Sequence, residues 1–231
     1  MFENFDIGVI TRSLDYLFID GMVFTIKLTV LAMIGGLVLG TGLALMRLSN
    51  NMFVRNLAAA YVNLIRAVPL VLVIFWFYFL VPYIGAWISG SGNPIQVGAL
   101  ASCLITFILF EAAYYCEIMR AGILSVPPGQ ASAGRALGMR EIQVMGMIVI
   151  PQAVRNMLPV LLTQTIILFQ DVSLVYVLSV TDFVGAAAKI AQRDGRPIEM
   201  YIFVAVVYFV ISFGLSRLVG LLHSRIQVAH R

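Results

Sequence analysis

Residues 67–110 read AVPLVLVIFWFYFLVPYIGAWISGSGNPIQVGALASCLITFILF, and this run of 44 residues contains no charged side chain. A helix that crosses a membrane needs about 20 mostly apolar residues, because the hydrocarbon layer is roughly 30 Å thick. The run is therefore long enough for two spans, and the turn-forming residues GSGNP at 90–94 predict where the spans separate. We place these two spans at about 57–88 and 96–121.

Three further stretches are apolar over a similar length. Residues 28–46 are uncharged, residues 156–181 contain Asp171 as their one charge, and residues 200–216 form the core of a last span. Over the whole chain 61% of the residues are apolar and 11% are charged, whereas soluble domains carry about 25% charged residues. The sequence predicts an all-α polytopic membrane protein with five transmembrane helices.

The basic residues predict how these helices are oriented. Lys and Arg are retained on the cytoplasmic side of a membrane, and they are in excess after span one, after span three and in the tail. The connection at 89–95 carries no charge, and the one at 182–199 carries balanced charges. We therefore expect the N-terminus outside and the C-terminus in the cytoplasm. The same rule accounts for the net charge of +4, so we expect no nucleic-acid partner.

The chain divides into three parts. Residues 1–20 are an N-terminal leader in which acidic residues outnumber Arg12, the reverse of the basic start of a signal peptide. Within it, residues 7–20 are amphipathic but too polar to span, so they form an interfacial helix or have no separate role. Residues 21–224 form the transmembrane domain, and residues 225–231 form a cytoplasmic tail.

A cytoplasmic insertion at 127–145, named here the coupling segment, interrupts the spans. The residues Pro127-Pro128-Gly129-Gln130 break span three, and Gly138 is placed to end a short helix in the left-handed conformation. Ala133, Ala136 and Leu137 give that helix one apolar face. The segment either docks into a groove on a partner protein or rests on lipid headgroups.

Ionisable residues inside spans are costly and are candidates for function. Gln164 precedes Asp171 by two helical turns, and Gln170 and Ser173 flank it. Such a face could bind the ammonium group of an amino acid at Asp171 and its carboxylate at the amide and hydroxyl donors. The alternative is that Asp171 bonds a neighbouring helix and fixes the packing.

A second polar group lies on span three. Glu111 is three and four residues before Tyr114 and Tyr115, and it is either part of a substrate path or a packing residue. Glu117 and Arg120 are three residues apart and are expected to pair on the helix surface. Arg66, just inside span two, either extends to the headgroups or binds an acidic side chain.

Two features separate this chain from other classes. It has no HExxH motif and no paired catalytic cysteine and histidine, which argues against a membrane-embedded enzyme. We also detect no internal repeat of the kind that builds many ion-coupled secondary transporters. The chain contains no Gly-Lys pair and therefore no P-loop, so any ATPase must be another polypeptide. Cys103 and Cys116, if on one helix, are too far apart for a disulfide.

The coupling segment resembles the EAA motif of bacterial ABC importer permeases. That motif runs Glu-Ala-Ala, three residues, Gly, nine residues, Ile, one residue, Leu-Pro. Here Ser132-Ala133-Gly134 is followed three residues later by Gly138, and nine residues after that by residues 148–151, Ile-Val-Ile-Pro. The spacing agrees throughout, although Ser132 replaces the motif's Glu, Gly134 an Ala and Ile150 the Leu.

Other segments are similar to the polar amino-acid branch of that family. They are AYVNLIRAVPL at 60–70, FEAAYYCEIMRAG at 110–122, PQAVR at 151–155 and FQDVSLVYVLS at 169–179. Many relatives carry Lys where this chain has Gln170. The Gln-Asp pair, with RDG at 193–195 and YFVIS at 208–212, resembles glutamate/aspartate permease subunits.

The resemblance implies a type I ABC importer permease in a bacterial inner membrane, importing amino acids, glutamate or aspartate, by alternating access. It implies two ATPase subunits that carry ATP and Mg, a second permease with a heterodimer favoured, and an extracytoplasmic binding protein. No cofactor or metal is expected on this chain. The coupling residues would be Gly129, Gln130, Ser132, Ala133, Gly134, Leu137 and Gly138. The substrate path would include Glu111, Gln164, Gln170, Asp171 and Ser173.

Overall fold

The computed structural model describes residues 5–94 and 97–228, and these residues are helical with no strand among them. Five of the described helices are long and apolar enough to cross a membrane. They are α2 (Tyr16–Arg47), α4 (Leu70–Ser89), α5 (Ala99–Leu124), α7 (Glu141–Leu178) and α9 (Pro197–Val228). The shorter helices are α1 (Ile7–Thr11), α3 (Met52–Arg66), α6 (Pro128–Ala136) and α8 (Phe183–Asp194). The prediction of an all-α protein with five spans is confirmed.

The ends of the spans differ from the expected ones. Helix α2 begins at Tyr16, well before the predicted start at residue 28, because Asp20 and Lys27 lie on its exposed face and do not interrupt it. Helix α7 begins at Glu141 rather than near residue 156, so it starts inside the coupling segment. Residues 1–4 of the predicted leader and 229–231 of the predicted tail lie outside the described residues.

Prolines account for one break between helices and accompany two of the irregular turns. The predicted second span, 57–88, is two helices, because Pro69 disfavours a helical conformation at the residue before it and begins α4 as its N-cap. Wide π-type turns at Trp76–Leu80 and Val144–Val149 precede Pro82 and Pro151. A proline lacks the N–H that an α-helix would use, and such local widening accommodates the loss.

The contacts divide the chain into two compact units. Unit 1 comprises Met1–Ile34, Pro69–Ile108 and Ile166–Leu215, and unit 2 comprises Gly35–Val68, Leu109–Thr165 and Ser216–Arg231. Helices α2, α5, α7 and α9 each contribute a segment to both units.

Unit 1 has a core around the start of α2 and helix α8. Leu17 and Met22 of α2 belong to one buried cluster with Phe183, Ala186 and Ile190 of α8. The Asp182 carboxylate caps α8 by accepting hydrogen bonds from the amides of Val184 (3.1 Å) and Gly185 (2.9 Å). This packing fixes the connection between the fourth and fifth spans against the first.

Unit 2 is held by close contact between α2 and α5. A Cβ atom on Gly36 would lie 2.9 Å from the Cβ of Glu111, and one on Gly40 would lie 2.9 Å from the Cβ of Tyr115. Two glycines four residues apart therefore let the helix backbones approach, as small residues do in membrane helix pairs. The contact fixes the buried face of α5 that carries Glu111.

Candidate functional site in the coupling segment and the spans

The coupling segment forms the short helix that the sequence predicts. Helix α6 begins at Pro128, a position where the missing N–H of proline is not needed. It ends at Ala136, and Gly138 has a φ of 79°, in the left-handed region. The expectation that Gly138 ends the helix in this conformation is confirmed.

Gly134 fixes this helix to the start of α7. It is buried, and a Cβ atom there would lie 2.6 Å from Cδ1 of Ile148 and 3.2 Å from Cγ2 of Val144. The predicted apolar face points away from this contact, because Ala133, Ala136 and Leu137 are all exposed, Leu137 by 83%. The helix therefore presents an apolar surface that the chain itself does not cover.

Polar groups join α6 to α7 at the same place. Nη2 of Arg135 donates a hydrogen bond to Oε2 of Glu141 at 3.2 Å, and the amide of Arg140 donates to Oε1 of Gln143 at 2.9 Å. The Arg135–Glu141 pair is more than half exposed, so it contributes little to stability. The pair connects the two ends of the turn at 137–140.

The residues predicted for a substrate path fall into two groups. In unit 2, Nε2 of Gln164 lies 3.3 Å and 3.2 Å from the two carboxylate oxygens of Glu111, and Glu111 is fully buried. The hydroxyls of Tyr115 and Thr165 lie 3.4 Å apart on the same two helices. The sequence placed Glu111 and Gln164 in separate clusters, and nothing in their spacing indicated that they pair.

The other three residues lie in unit 1, near the end of α7. Gln170 is exposed, and Asp171 and Ser173 are half-buried. Asp171 is the last residue of the α-helical part of α7, and a tighter 3₁₀ turn begins at Val172. A role for these three in the substrate path stays a prediction.

Three arginines surround Glu117 and its neighbours in unit 2. Arg120 donates two hydrogen bonds to Oε2 of Glu117, at 3.2 Å and 2.8 Å, which confirms the predicted pair. Nη1 of Arg47 lies 2.8 Å from Oε1 of the same carboxylate, a contact that the sequence analysis missed. The guanidinium carbon of Arg66 lies 5.2 Å from the ring centroid of Tyr114. Arg66 therefore makes a cation–π contact with Tyr114, which neither of its two predicted roles included.

A second set of charged residues lies between α1 and the ends of α8 and α9. Arg12 approaches Asp194 at 3.9 Å, and the amide of Asp6 donates to Glu199 at 3.4 Å. The hydrogen bond from Arg193 lowers the pKa of the Asp194 carboxyl below its ordinary value. In contrast, burial raises the pKa of Asp182 from 3.8 to about 6, against the backbone hydrogen bonds that lower it. The contacts of Arg12 with Asp194 and of Asp6 with Glu199 tie residues 6–12 to the rest of unit 1.

Five apolar helices, buried polar residues within them and a short helix with an uncovered apolar face define a polytopic helical membrane protein. The chain belongs to the family described as binding-protein-dependent transport system inner membrane component, which it matches over residues 36–228. The protein is thus an inner membrane component of such a system.

Relatives in this family share almost the full length of the chain. The chain is 51% identical over 225 residues to the glutamate/aspartate import permease protein GltK of Escherichia coli O157:H7, covering 97% of this chain and 99% of the relative. It is 32% identical over 230 residues to the probable glutamine ABC transporter permease protein GlnM of Bacillus subtilis, covering 100% and 98%.

Solved structures show the same fold. An amino acid ABC transporter crystallised with histidines superimposes with a TM-score of 0.83 at 32% identity, covering 93% of this chain and 96% of that one. The methionine ABC transporter MetNI, in an inward-facing conformation, superimposes with a TM-score of 0.67 at 17% identity and covers 90% and 96%.

Proposed function

We propose that this chain is the permease subunit of an ABC importer that brings glutamate and aspartate into the cell. The observation that supports this most directly is the 51% identity to GltK over nearly the whole of both chains. The matched region covers 97% of this chain, so it includes the spans as well as the coupling segment. The substrate class follows from this relationship.

The coupling segment is the contact to a separate ATPase subunit. Helix α6 exposes Ala133, Ala136 and Leu137, while Gly134 fixes the helix to α7. A docking surface must move its own spans when it moves, and the close contact at Gly134 provides that rigid connection. Gly129, Gln130 and Ser132 lie on the same short helix and are exposed. Closure of two ATPase subunits on ATP would move the α6 helices together.

The charge distribution supports the proposed orientation. By sequence, unit 2 contains ten Lys and Arg against three Asp and Glu, whereas unit 1 contains five against eight. Basic residues near span ends are retained in the cytoplasm. The loops of unit 2, including the coupling segment, therefore face the cytoplasm, and the N-terminus lies outside.

A reconstituted system tests the proposal. The chain, co-expressed with its partner subunits, is placed in proteoliposomes with the binding protein outside and ATP inside, and uptake of labelled glutamate, aspartate and glutamine is measured. We expect ATP-dependent uptake of the two acidic amino acids and much less of glutamine. Uptake that follows an ion gradient without ATP would instead identify a secondary transporter.

A further inference from the structure

Unit 2 contains a cleft that the proposed coupling and substrate-path residues do not use. Its volume is about 380 Å³, within the range of small-molecule sites. Its polar lining consists of Arg66, Glu117, Ser125 and Asn156, and its apolar lining includes Gly122 and Met157. A few polar groups on an otherwise apolar wall are typical of ligand-binding clefts.

The electrostatics of the cleft favour an anion. Glu117 is its one acidic residue, and the carboxylate is bound by two arginines, Arg47 at 2.8 Å and Arg120 at 2.8 Å. Arg66 adds a third guanidinium, so the positive charges outnumber the negative one. The guanidinium carbon of Arg66 lies over the ring of Tyr114, 5.2 Å from its centroid. A guanidinium group matches a planar, bidentate partner such as a carboxylate.

The opposite side of the cleft supplies an acceptor. Nδ2 of Asn156 donates a hydrogen bond of 2.8 Å to Oγ of Ser125. This bond orients the amide, and its oxygen, Oδ1, is the atom suited to accept from an ammonium group. The cleft therefore offers a guanidinium to bind a negative group and an amide oxygen to bind a positive one. Such a cleft fits a ligand with a carboxylate and an ammonium group better than it fits a simple anion.

We propose that this cleft is a binding site for the transported amino acid, in which Arg66 binds a carboxylate and Asn156 accepts from the ammonium group. The inference rests on the proposed function, since it assigns a binding site for the substrate of that function outside the predicted substrate path. The methylene groups of an acidic amino acid would lie against Gly122 and Met157. The cleft belongs to unit 2, whose basic loops we propose to be cytoplasmic, so it would hold substrate on the release side.

Direct binding tests the site without the binding protein. The complete transporter is purified in phosphatidylcholine nanodiscs without ATP, and equilibrium binding of labelled L-glutamate is measured. Arg66→Gln should weaken binding roughly tenfold or more, because hydrogen bonds to charged groups are lost. Arg66→Lys should give an intermediate loss, since it keeps the charge but not the fork geometry. Asn156→Ala should also weaken binding.

Arg55→Gln is the matched control, because Arg55 lies on the same helix, is exposed and does not line the cleft. It should bind glutamate as the wild type does. Absence of saturable binding in the wild type, or equal binding by the wild type and Arg66→Gln, would overturn the inference. ATP-driven uptake by the same wild-type preparation tests the proposed function separately. The binding-site inference can therefore be wrong while the proposed function is right, and the reverse.

The headgroup of phosphatidylethanolamine combines an anionic group with a primary ammonium that donates hydrogen bonds, as an amino acid does, whereas the quaternary ammonium of phosphatidylcholine has no N–H to donate. Nanodiscs that contain this lipid are therefore compared with phosphatidylcholine nanodiscs. We expect glutamate binding to be the same in both. If the ethanolamine lipid abolishes glutamate binding by the wild type, the cleft is a lipid site under membrane conditions and the substrate assignment is wrong.

Discussion

The fully buried carboxylate of Glu111 and the amide of Gln164 give each other a partner within unit 2. Glu111→Ala would remove both oxygens that Gln164 contacts and leave a cavity beside Gly36. We expect a lower thermal unfolding midpoint, corresponding to about 1–3 kcal/mol, the cost of leaving a buried polar group unsatisfied. Glu111→Gln, which keeps an amide oxygen as acceptor, should unfold close to the wild type.

Thermal unfolding of the detergent-purified complex, followed by intrinsic fluorescence, measures this difference. Glutamate uptake by the Glu111→Gln variant then separates the two roles that the sequence left open. Normal uptake would identify Glu111 as a packing residue, whereas a large loss in a stable protein would place its charge in the substrate path. Equal stability of the Ala and Gln variants would show that the contact with Gln164 does not stabilise unit 2.

Asp182 couples the stability of unit 1 to pH. Its pKa in the folded protein is about 6, above its ordinary value of 3.8, so folding favours the protonated form. This contribution is fully present below about pH 4 and is lost as the pH rises through about 6. Asp182→Asn removes the titration but keeps a capping oxygen for α8. We expect this variant to gain stability relative to wild type between pH 5 and pH 7.5, by about 1.4 kcal/mol.

Unfolding midpoints of both proteins at the two pH values measure the gain. Asp182→Ala, which removes the cap as well, should be less stable than Asp182→Asn at both. A wild-type-minus-variant difference that does not change with pH would mean that Asp182 titrates at its ordinary pKa.

Asp171 is the residue that we predict to contact the ammonium group of the transported amino acid. A charged side chain facing lipid near the bilayer centre would cost a few kcal/mol, and Asp171 is half-buried at the end of the α-helical part of α7. We predict that Asp171→Asn strongly lowers glutamate uptake while the binding protein still stimulates ATP hydrolysis. Asp15→Asn, which removes an exposed carboxylate from unit 1, is the control. Full-rate transport by a normally inserted Asp171→Asn protein would make Asp171 a packing residue.

At the scale of the elements, we predict that the turn at Gly138 is needed for the coupling segment to transmit motion. Its φ of 79° and the 2.9 Å hydrogen bond from its amide to Arg135 are both incompatible with proline. We predict that Gly138→Pro inserts normally but hydrolyses ATP without glutamate uptake. Gly146→Ala is the matched control, because the added methyl group meets no atom within 4 Å and the backbone there is not left-handed.

The ratio of glutamate transported to ATP hydrolysed, measured in proteoliposomes, is the readout. It should fall several-fold in Gly138→Pro and stay at the wild-type value in Gly146→Ala. A Gly138→Pro protein that transports at the wild-type ratio would show that the coupling segment does not connect ATP hydrolysis to the spans.

The elements also show what the sequence could and could not predict. Hydropathy located all five spans because each has an apolar middle, but it missed their ends, where charged residues such as Asp20 and Lys27 lie on an exposed helix face. The end of α6 was predictable because the left-handed turn depends on one local residue, Gly138. The pairing of Glu111 with Gln164 was not predictable, because it depends on how α5 and α7 pack, and spacing along one helix holds no information about its neighbour.

At the scale of the whole molecule, much of the apolar helix surface is not covered by the chain itself. In the most apolar stretch of α9 only 11% of the residues are buried, and in that of α4 only 22% are. Lipid would cover such surface, and so would a second permease. Five helices are also few to enclose a pathway for an amino acid. Both observations favour a membrane core made of two permease subunits.

We predict that the second subunit is a related but different chain. The residues predicted for the substrate path include the carboxylates Asp171 and Glu111. Such groups would repel the two carboxylates of an acidic substrate, so we expect a partner that supplies basic or amide groups. Affinity purification of the tagged chain, co-expressed with its neighbouring genes, should recover a second permease in equal amount. Omitting that second permease should leave a preparation without ATP-dependent glutamate uptake. A fully active transporter with this chain as its one permease would show that the membrane core is a homodimer.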